Sequence, residues 1–375
     1  MAFVGKATSV SIIIPVRNEA GHIARCLDSV LALDLDGIEH EILVVDGMSD
    51  DGTIGVVERY QARRADLKII PNPRKGVAAA RNIGIKAARG DVLVLMDAHA
   101  RYAPDYVKRC LEVMENTGAA NVGGPAIALP GGAGAMAGAI SLAHHSSFGL
   151  GGGEFRDPDA EGFVETVWPG CYRREVFAKA GYIDERRSRT EDLEFNSRLR
   201  AAGFTIYLSP RIMAWYYCRT TLGETWRQRW ADGYEITRFL PDNPAAPKLR
   251  HFVPLAFVAS LILFAALAVF VPGLQQLAMV VLFAELAAYL LASVFFTIQS
   301  YLRSKVHQDE SSADTGSKHS NLELSNREHG LGSIALLPIV FATLHFSYGL
   351  GSIWGLASLP YWALRKQKRE LQNPE

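Results

Sequence analysis

The sequence predicts an α/β fold: a parallel sheet covered by helices in its first part, followed by apolar helices of membrane-spanning length. Three observations lead there. Short continuous apolar runs (VSIIIP, EILVVD, LKIIP, VLVLMD) recur through the first hundred residues, as strands buried on both faces do. Helical patterns separate them, which parallel connections require. Beyond residue 250, two apolar stretches reach the roughly 20 residues that a bilayer demands.

The first strand closes at Pro15, Arg17, Asn18 and Glu19 in IIIPVRNE, and a helix follows around Ile23, Leu27, Val30 and Leu31. EILVVD then ends at Asp46, trailed by Gly47, Ser49, Asp51, Gly52 and Thr53. A helix is expected from Thr53 to Arg64, a strand at LKIIP, a helix from Val77 to Ala88, and a strand ending at Asp97 in DVLVLMD. Open parallel sheets bind ligands in the crevice at the carboxyl ends of their strands, so Asp46 and Asp97 mark a candidate site. Residues 123–153 are loaded with glycine and read either as a mobile loop or lid or as a surface connection plus one small-residue helix; no Gly-Lys-Ser/Thr makes them a phosphate loop. Glu191 and Asp192 open a helix that buries Phe195, Leu199 and Ala202, at the end where acids are favoured.

Of the 375 residues 49% are hydrophobic, and the excess lies in 252–271 and 274–299, a transmembrane hairpin turned by Pro272 and Gly273. The stretch 331–364 contains Pro338, Gly349, Gly351 and Pro360 and reads as either a kinked span or a re-entrant pair. Arg303, Lys305, Lys318 and Arg327 place the loop before it in the cytoplasm by the positive-inside tendency, and Arg365, Lys366, Lys368 and Arg369 want the same side. With no apolar leader, the first 250 residues are expected to stay on the side of synthesis. The layout is therefore a cytoplasmic domain at 1–245, a membrane hairpin at 246–300, a polar loop at 301–330, a third membrane segment at 331–364 and a basic tail at 365–375. That makes a multi-pass protein of the cell membrane. Lys plus Arg equals Asp plus Glu at 39 each, which disfavours nucleic acid as a partner. Four scattered cysteines form no Cys-x-x-Cys pair, so neither a zinc site nor a disulfide framework is expected.

The ordered motifs, Pro15–Glu19 and Asp46–Thr53, then NPRKGVAAARNIGIKAARGD and MDAHARY, resemble the family 2 glycosyltransferases, inverting enzymes with the GT-A (Rossmann-like) nucleotide-sugar-binding fold. The likeness spans about residues 9–240 and extends, in MDAHARY, to the membrane-anchored glucosyltransferases of succinoglycan assembly. It implies that Asp46 and the Pro15, Arg17, Glu19 segment hold the nucleoside. Lys75 and Arg81 would offset diphosphate charge, and Asp97-Ala98-His99 stands where the family has its metal-binding Asp-x-Asp. Histidine in the last place tilts the expected cation from Mg²⁺ towards Mn²⁺; as a rival, His99 is a structural residue at the sheet edge. Gly47 departs from the family's second aspartate.

On the acceptor side, Trp168-Pro169-Gly170-Cys171 and Glu191-Asp192 match the family's blocks, with Asp192 as general base. Gln228, Arg229 and Trp230 fall where processive relatives carry Gln-x-x-Arg-Trp, with altered spacing; an amphipathic helix at the membrane surface explains them equally well. The resemblance thus implies transfer of a sugar, glucose first, from a UDP-sugar to a lipid-linked (polyprenyl) saccharide in exopolysaccharide or glycan assembly. A polyprenyl-phosphate sugar synthase and a non-catalytic membrane nucleotide-binding scaffold are the alternatives.

Overall fold

The computed structural model describes residues 9–150, 153–313 and 330–372, so parts of the expected polar loop (314–329) and basic tail (373–375) lie outside the described residues. Two compact units are present: one up to Leu129 and from Gly153 to Tyr217, the other from Pro130 to Gly152 and from Cys218 onward.

In the first unit, β1 (Val10–Val16) lies between β2 (His40–Asp46) and β4 (Val92–Leu95), with β3 (Leu67–Pro71) beyond β2, all parallel. Helices α1 (Ile23–Leu31), α2 (Thr53–Gln61) and α3 (Val77–Ala87) make the crossovers. The period of two sorts the strand side chains. Ile12, Ile14, Ile42 and Val44 join Ile23, Leu27 and Val30 in one core layer, while Ile13, Leu43 and Val45 join Ala78, Ala80 and Ile85 in the other. Burial on both faces is why these runs carry no polar alternation. On α3, a Cβ at Gly84 would stand 2.3 Å from Ile13 Cγ2, so glycine lets the helix seat on β1.

Past β4 the sheet turns mixed. β9 (Cys171–Arg173) runs antiparallel to both β4 and β6 (Asn121–Gly123); β10 (Ile206–Leu208) and the edge strand β8 (Gly162–Phe163) complete it. The parallel arrangement expected from the first hundred residues therefore holds for β1 to β4. A second sheet sets β11 (Ala214–Tyr217) between β5 (Ala100–Tyr102) and β7 (Ala126–Leu129). The helices α4 (Tyr106–Thr117), α6 (Glu175–Ala180) and α7 (Glu191–Ala201) belong to the same unit.

The second unit holds α5 (Ala135–His145), α8 (Leu222–Arg238), α9 (Val253–Phe270), α10 (Gln275–Ala313), α11 (Leu331–Ala335), α12 (Leu337–Ala357) and α13 (Leu359–Gln372). Among the described residues, three helical stretches, Leu249–Phe270, Gln275–Arg303 and Leu337–Ala357, are long and apolar enough to cross a membrane. Of the two readings of the glycine-rich stretch, the small-residue helix is the one found: Ala135–His145 form α5, packed on α11 and α12, with Ala137, Ile140 and Leu142 buried. Glycine weakens an isolated helix, but between helices small residues permit close packing.

Candidate active site

The carboxyl ends of β1, β2 and β4 converge on one edge of the sheet. Asp46 closes β2, and register pairs Ile13 with Leu95, so Asp97, two residues past β4, stands at about the level of Pro15. One strand separates the two aspartates, a spacing of roughly 10 Å. Asp46 is buried, and its carboxylate accepts from the Ser49 hydroxyl at 2.6 Å and the Ser49 backbone N–H at 3.1 Å.

The loops after β1 and β2 are laced together. Asn18 N–H donates to Ser49 Oγ at 3.0 Å, the Asn18 amide donates to Asp50 at 2.9 Å and accepts from the Asp50 N–H at 3.0 Å, and Ala20 N–H donates to Asp51 at 3.1 Å. The polar motif residues thus build the loop frame, leaving Arg17 exposed beside Asp46. Gly47 has a packing reason as well: a Cβ there would meet Arg17 Cβ and the Lys75 carbonyl at 3.1 Å. Lys75 is exposed at the start of α3, with φ at 64°.

Arg81 is where the two sides of the site meet. Its side chain is buried, donating from Nη2 to Asp97 Oδ1 at 3.0 Å and from Nη1 to Glu191 Oε1 at 2.7 Å. Trp168 Nε1–H donates to the other Asp97 oxygen at 2.7 Å. Burial disfavours the guanidinium charge, and Asp97, Glu191 and Asp192 more than restore it. Burial likewise works against ionised Asp97, but Arg81, His99 and Trp168 hold the carboxyl below its usual range. At Glu191 burial wins: against the pull of Arg81 and with repulsion from Asp192, the carboxyl is pushed up to about 7. Asp192 is half-buried beside it at the start of α7, its Oδ1 accepting from the Leu193 N–H at 2.8 Å. The structure therefore brings together Asp97, Arg81, Trp168, Glu191 and Asp192, with Arg81 facing carboxylates.

His99 points its Nδ1 at Glu19 Oε1, 3.3 Å away. Among the described residues no group of three or more His, Cys, Asp and Glu side chains is placed to hold a metal. The donor set nevertheless fits an open site. Each Asp97 oxygen accepts one N–H and keeps a lone pair, His99 lies two residues on, and hard cations commonly take one or two protein ligands with phosphate and water completing the shell.

Two aromatic residues that the sequence reading passed over shape this corner. Tyr102 accepts from the Asp97 N–H at 2.7 Å and donates to its carbonyl at 3.2 Å, fixing the backbone under the carboxylate. Tyr216 meets Trp168 edge-on at 5.6 Å between ring centres and His99 at 6.0 Å. Both sit on strands of three or four residues, too short for alternation to announce them. Gly170 is buried against the Tyr172 ring, its carbonyl accepting from the Leu95 N–H at 3.0 Å. Gln228, Arg229 and Trp230 lie on α8 in the second unit, where Arg229 pairs with Asp232 at 2.5 Å and the Trp230 carbonyl backs onto Gly351.

Residues 11–179 match the model of glycosyl transferase family 2. Over 253 residues the chain is 31% identical to the succinoglycan biosynthesis protein ExoA of Rhizobium meliloti, covering 67% of this chain and 76% of that one. Over 221 residues it is 31% identical to the dolichyl N-acetyl-alpha-D-glucosaminyl phosphate 3-beta-D-2,3-diacetamido-2,3-dideoxy-beta-D-glucuronosyltransferase of Methanococcus voltae, covering 57% and 68%. In fold it is similar to a mannosyltransferase of Pyrobaculum calidifontis solved with GDP-Man and Mn²⁺, with a TM-score of 0.52 and 17% identity over 94% of this chain and 88% of that one.

Proposed function

This chain belongs to glycosyl transferase family 2 and is a glycosyltransferase of polysaccharide or glycan assembly, and from that premise we propose that it moves glucose from UDP-glucose to a lipid-linked saccharide at the cytoplasmic face of the cell membrane. The reaction is a single displacement with inversion. The acceptor oxygen bonds to the anomeric carbon as that carbon's bond to the diphosphate oxygen breaks; the hydroxyl proton passes to Asp192, and UDP leaves. Asp46 reads the uracil, with Pro15, Arg17 and Glu19 along the nucleoside and Lys75 near the diphosphate. Asp97 and His99 are the residues that would hold a divalent cation, Mn²⁺ over Mg²⁺, which supplies charge neutralisation for the departing diphosphate. A lipid-linked acceptor agrees with the Methanococcus relative, whose name describes transfer to a dolichyl-linked sugar phosphate.

One observation carries the reading. The buried Arg81 ties the nucleotide-side Asp97 to Glu191, the neighbour of Asp192, so donor and acceptor chemistry share one frame. Its test is transfer of radiolabel from UDP-glucose to a lipid extract by the full-length protein. Asp192→Asn is expected to lower turnover by about 10²- to 10⁴-fold, the usual share of a general base. Chelation is expected to stop transfer, and Mn²⁺ to restore it better than Mg²⁺. An Asp192→Asn protein with normal turnover points instead to a lipid-phosphate acceptor, which arrives already ionised.

A further inference from the structure

The hairpin of α9 and α10 sets a ruler across the bilayer. Phe257 of α9 stacks on Tyr289 of α10 with ring centres 4.7 Å apart, and Ser260 donates to Glu285. Moving from these contacts towards Pro272 and Gly273 therefore goes deeper, and a full crossing is roughly 30 Å, at 1.5 Å per helical residue. With 21 residues, α12 is long enough to cross too. Were it to do so, its last turns would lie beside the turn at Pro272.

They lie elsewhere. Near its start, Phe341 meets Phe148, which stacks on Phe296, about two turns past Tyr289 towards the end where α10 leaves the membrane. In its middle, His345 accepts from Tyr289 at 2.8 Å and Phe346 meets Phe257. Gly349 then rests against Pro254 and Val258, in the first turns of α9. Gly351 and Gly355 abut the carbonyls of Trp230 and Tyr234 on α8, a helix that also carries Arg227, Arg229, Asp232, Glu235 and Arg238. Finally, Trp362 of α13 donates to the Tyr234 hydroxyl at 3.0 Å and lies under the Arg238 guanidinium at 3.6 Å. Both ends of α12 thus stand at the level of Pro254 in the first turn of α9 and of Phe296 in α10. Burial agrees: 44% of the apolar window of α12 is covered within the protein, against 6% for α9 and 11% for α10.

We infer that α12 lies along the membrane surface without crossing it, and that α8, α12 and α13 form a platform whose partner is the lipid surface, seated in the headgroup–acyl boundary. Trp354, Tyr361 and Leu364 are more than half exposed and Trp226 more than a third: amphipathic aromatic rings, and one apolar side chain, of the kind such a boundary takes up. Arg365, Lys366, Lys368 and Arg369 follow directly in sequence and suit anionic headgroups. The inference rests on reading α9 and α10 as a membrane hairpin. It leaves the described residues with two crossings, α9 and α10, and puts α13 on the face where α9 enters.

The test uses the full-length chain in cells and in inside-out vesicles. All four native cysteines are buried, so a membrane-impermeant maleimide reads introduced ones. A Leu274→Cys protein is expected to label from one face only, and a Leu364→Cys protein, or one with a cysteine appended after Glu375, from the opposite face only; Gln275→Cys serves if Leu274→Cys does not fold. In lipid vesicles, a fluorophore at Trp354→Cys is expected to be quenched by nitroxides near the headgroups more than by nitroxides at the chain ends. Labelling of the tail positions from the Leu274 face, or quenching strongest at the chain ends, overturns the platform. Release of the wild-type protein by alkaline carbonate overturns the hairpin and the platform together. Absence of sugar transfer with the expected labelling pattern bears on the proposed function alone.

Discussion

Arg81 spends two of its N–H groups on carboxylates that lie 16 and 110 positions away in the chain. Lysine offers a compact ammonium that cannot serve both with a planar fork. Arg81→Lys is therefore expected to cut turnover by roughly 100-fold through misplacement, with UDP affinity by calorimetry staying within about threefold; a tenfold loss of UDP affinity with turnover intact would mean that the residue meets phosphate directly. Glu191 adds a pH signature. Because its folded pKa is raised to about 7, its contribution to stability is fully present below the ordinary carboxyl range and is lost as pH rises through about 7. Between pH 5 and 8 that amounts to at most about 3 kcal/mol, which thermal unfolding of wild type against Glu191→Gln measures as a flattened pH dependence in the variant. At this scale Asp46, Asp97 and the Glu191–Asp192 pair were legible because chemistry-bearing residues sat at the ends of patterned elements. The Arg81 bridge, the Trp168 hydrogen bond and Tyr102 were not, since nothing local in a sequence records which distant partner a donor finds.

Elements with strong periodicity read well: β1 to β4 and α1 to α3 fall within a few residues of their expected limits, with α2 ending at Gln61 instead of Arg64. The short strands β5 to β11 left no comparable trace, and α5 stayed open between a lid and a small-residue helix, because its glycines weaken the helical signal and their value lies in the helices they touch. The same point makes a prediction for α8 and α12. A Cβ at Gly351 would stand 2.2 Å from the Trp230 carbonyl, backbone that cannot swing aside. Gly351→Ala is expected to destabilise the helical unit by about 1–3 kcal/mol, the usual cost of overpacking, read as a lowered melting temperature in detergent. An unchanged melting temperature would show that the two helices separate readily.

For the molecule as a whole, two compact units imply two transitions on heating. Asp46, Asp97 and Glu191 all belong to the unit built on the large sheet. UDP at about 100 times its dissociation constant should stabilise that unit by about 2.7 kcal/mol and leave the helical unit's transition in place; calorimetry showing both transitions move equally would contradict this. Hydrophobic length alone foretold the apolar helices of the last third. It gave no hint that residues 130–152 fold with them, because that association joins segments as distant as Phe148 and His345, 197 positions apart.

That association bears on any attempt to prepare the enzymatic half without lipid. The backbone passes from one unit to the other after Leu129, after Gly152 and after Tyr217, so no single cut frees the sheet. A fragment stopped near residue 245 would keep α5 but lose α11 and α12, baring Ala137, Ile140 and Leu142 as an adhesive arm. Excising 130–152 in favour of a brief polar splice, together with everything after Tyr217, is the dissection that the topology recommends.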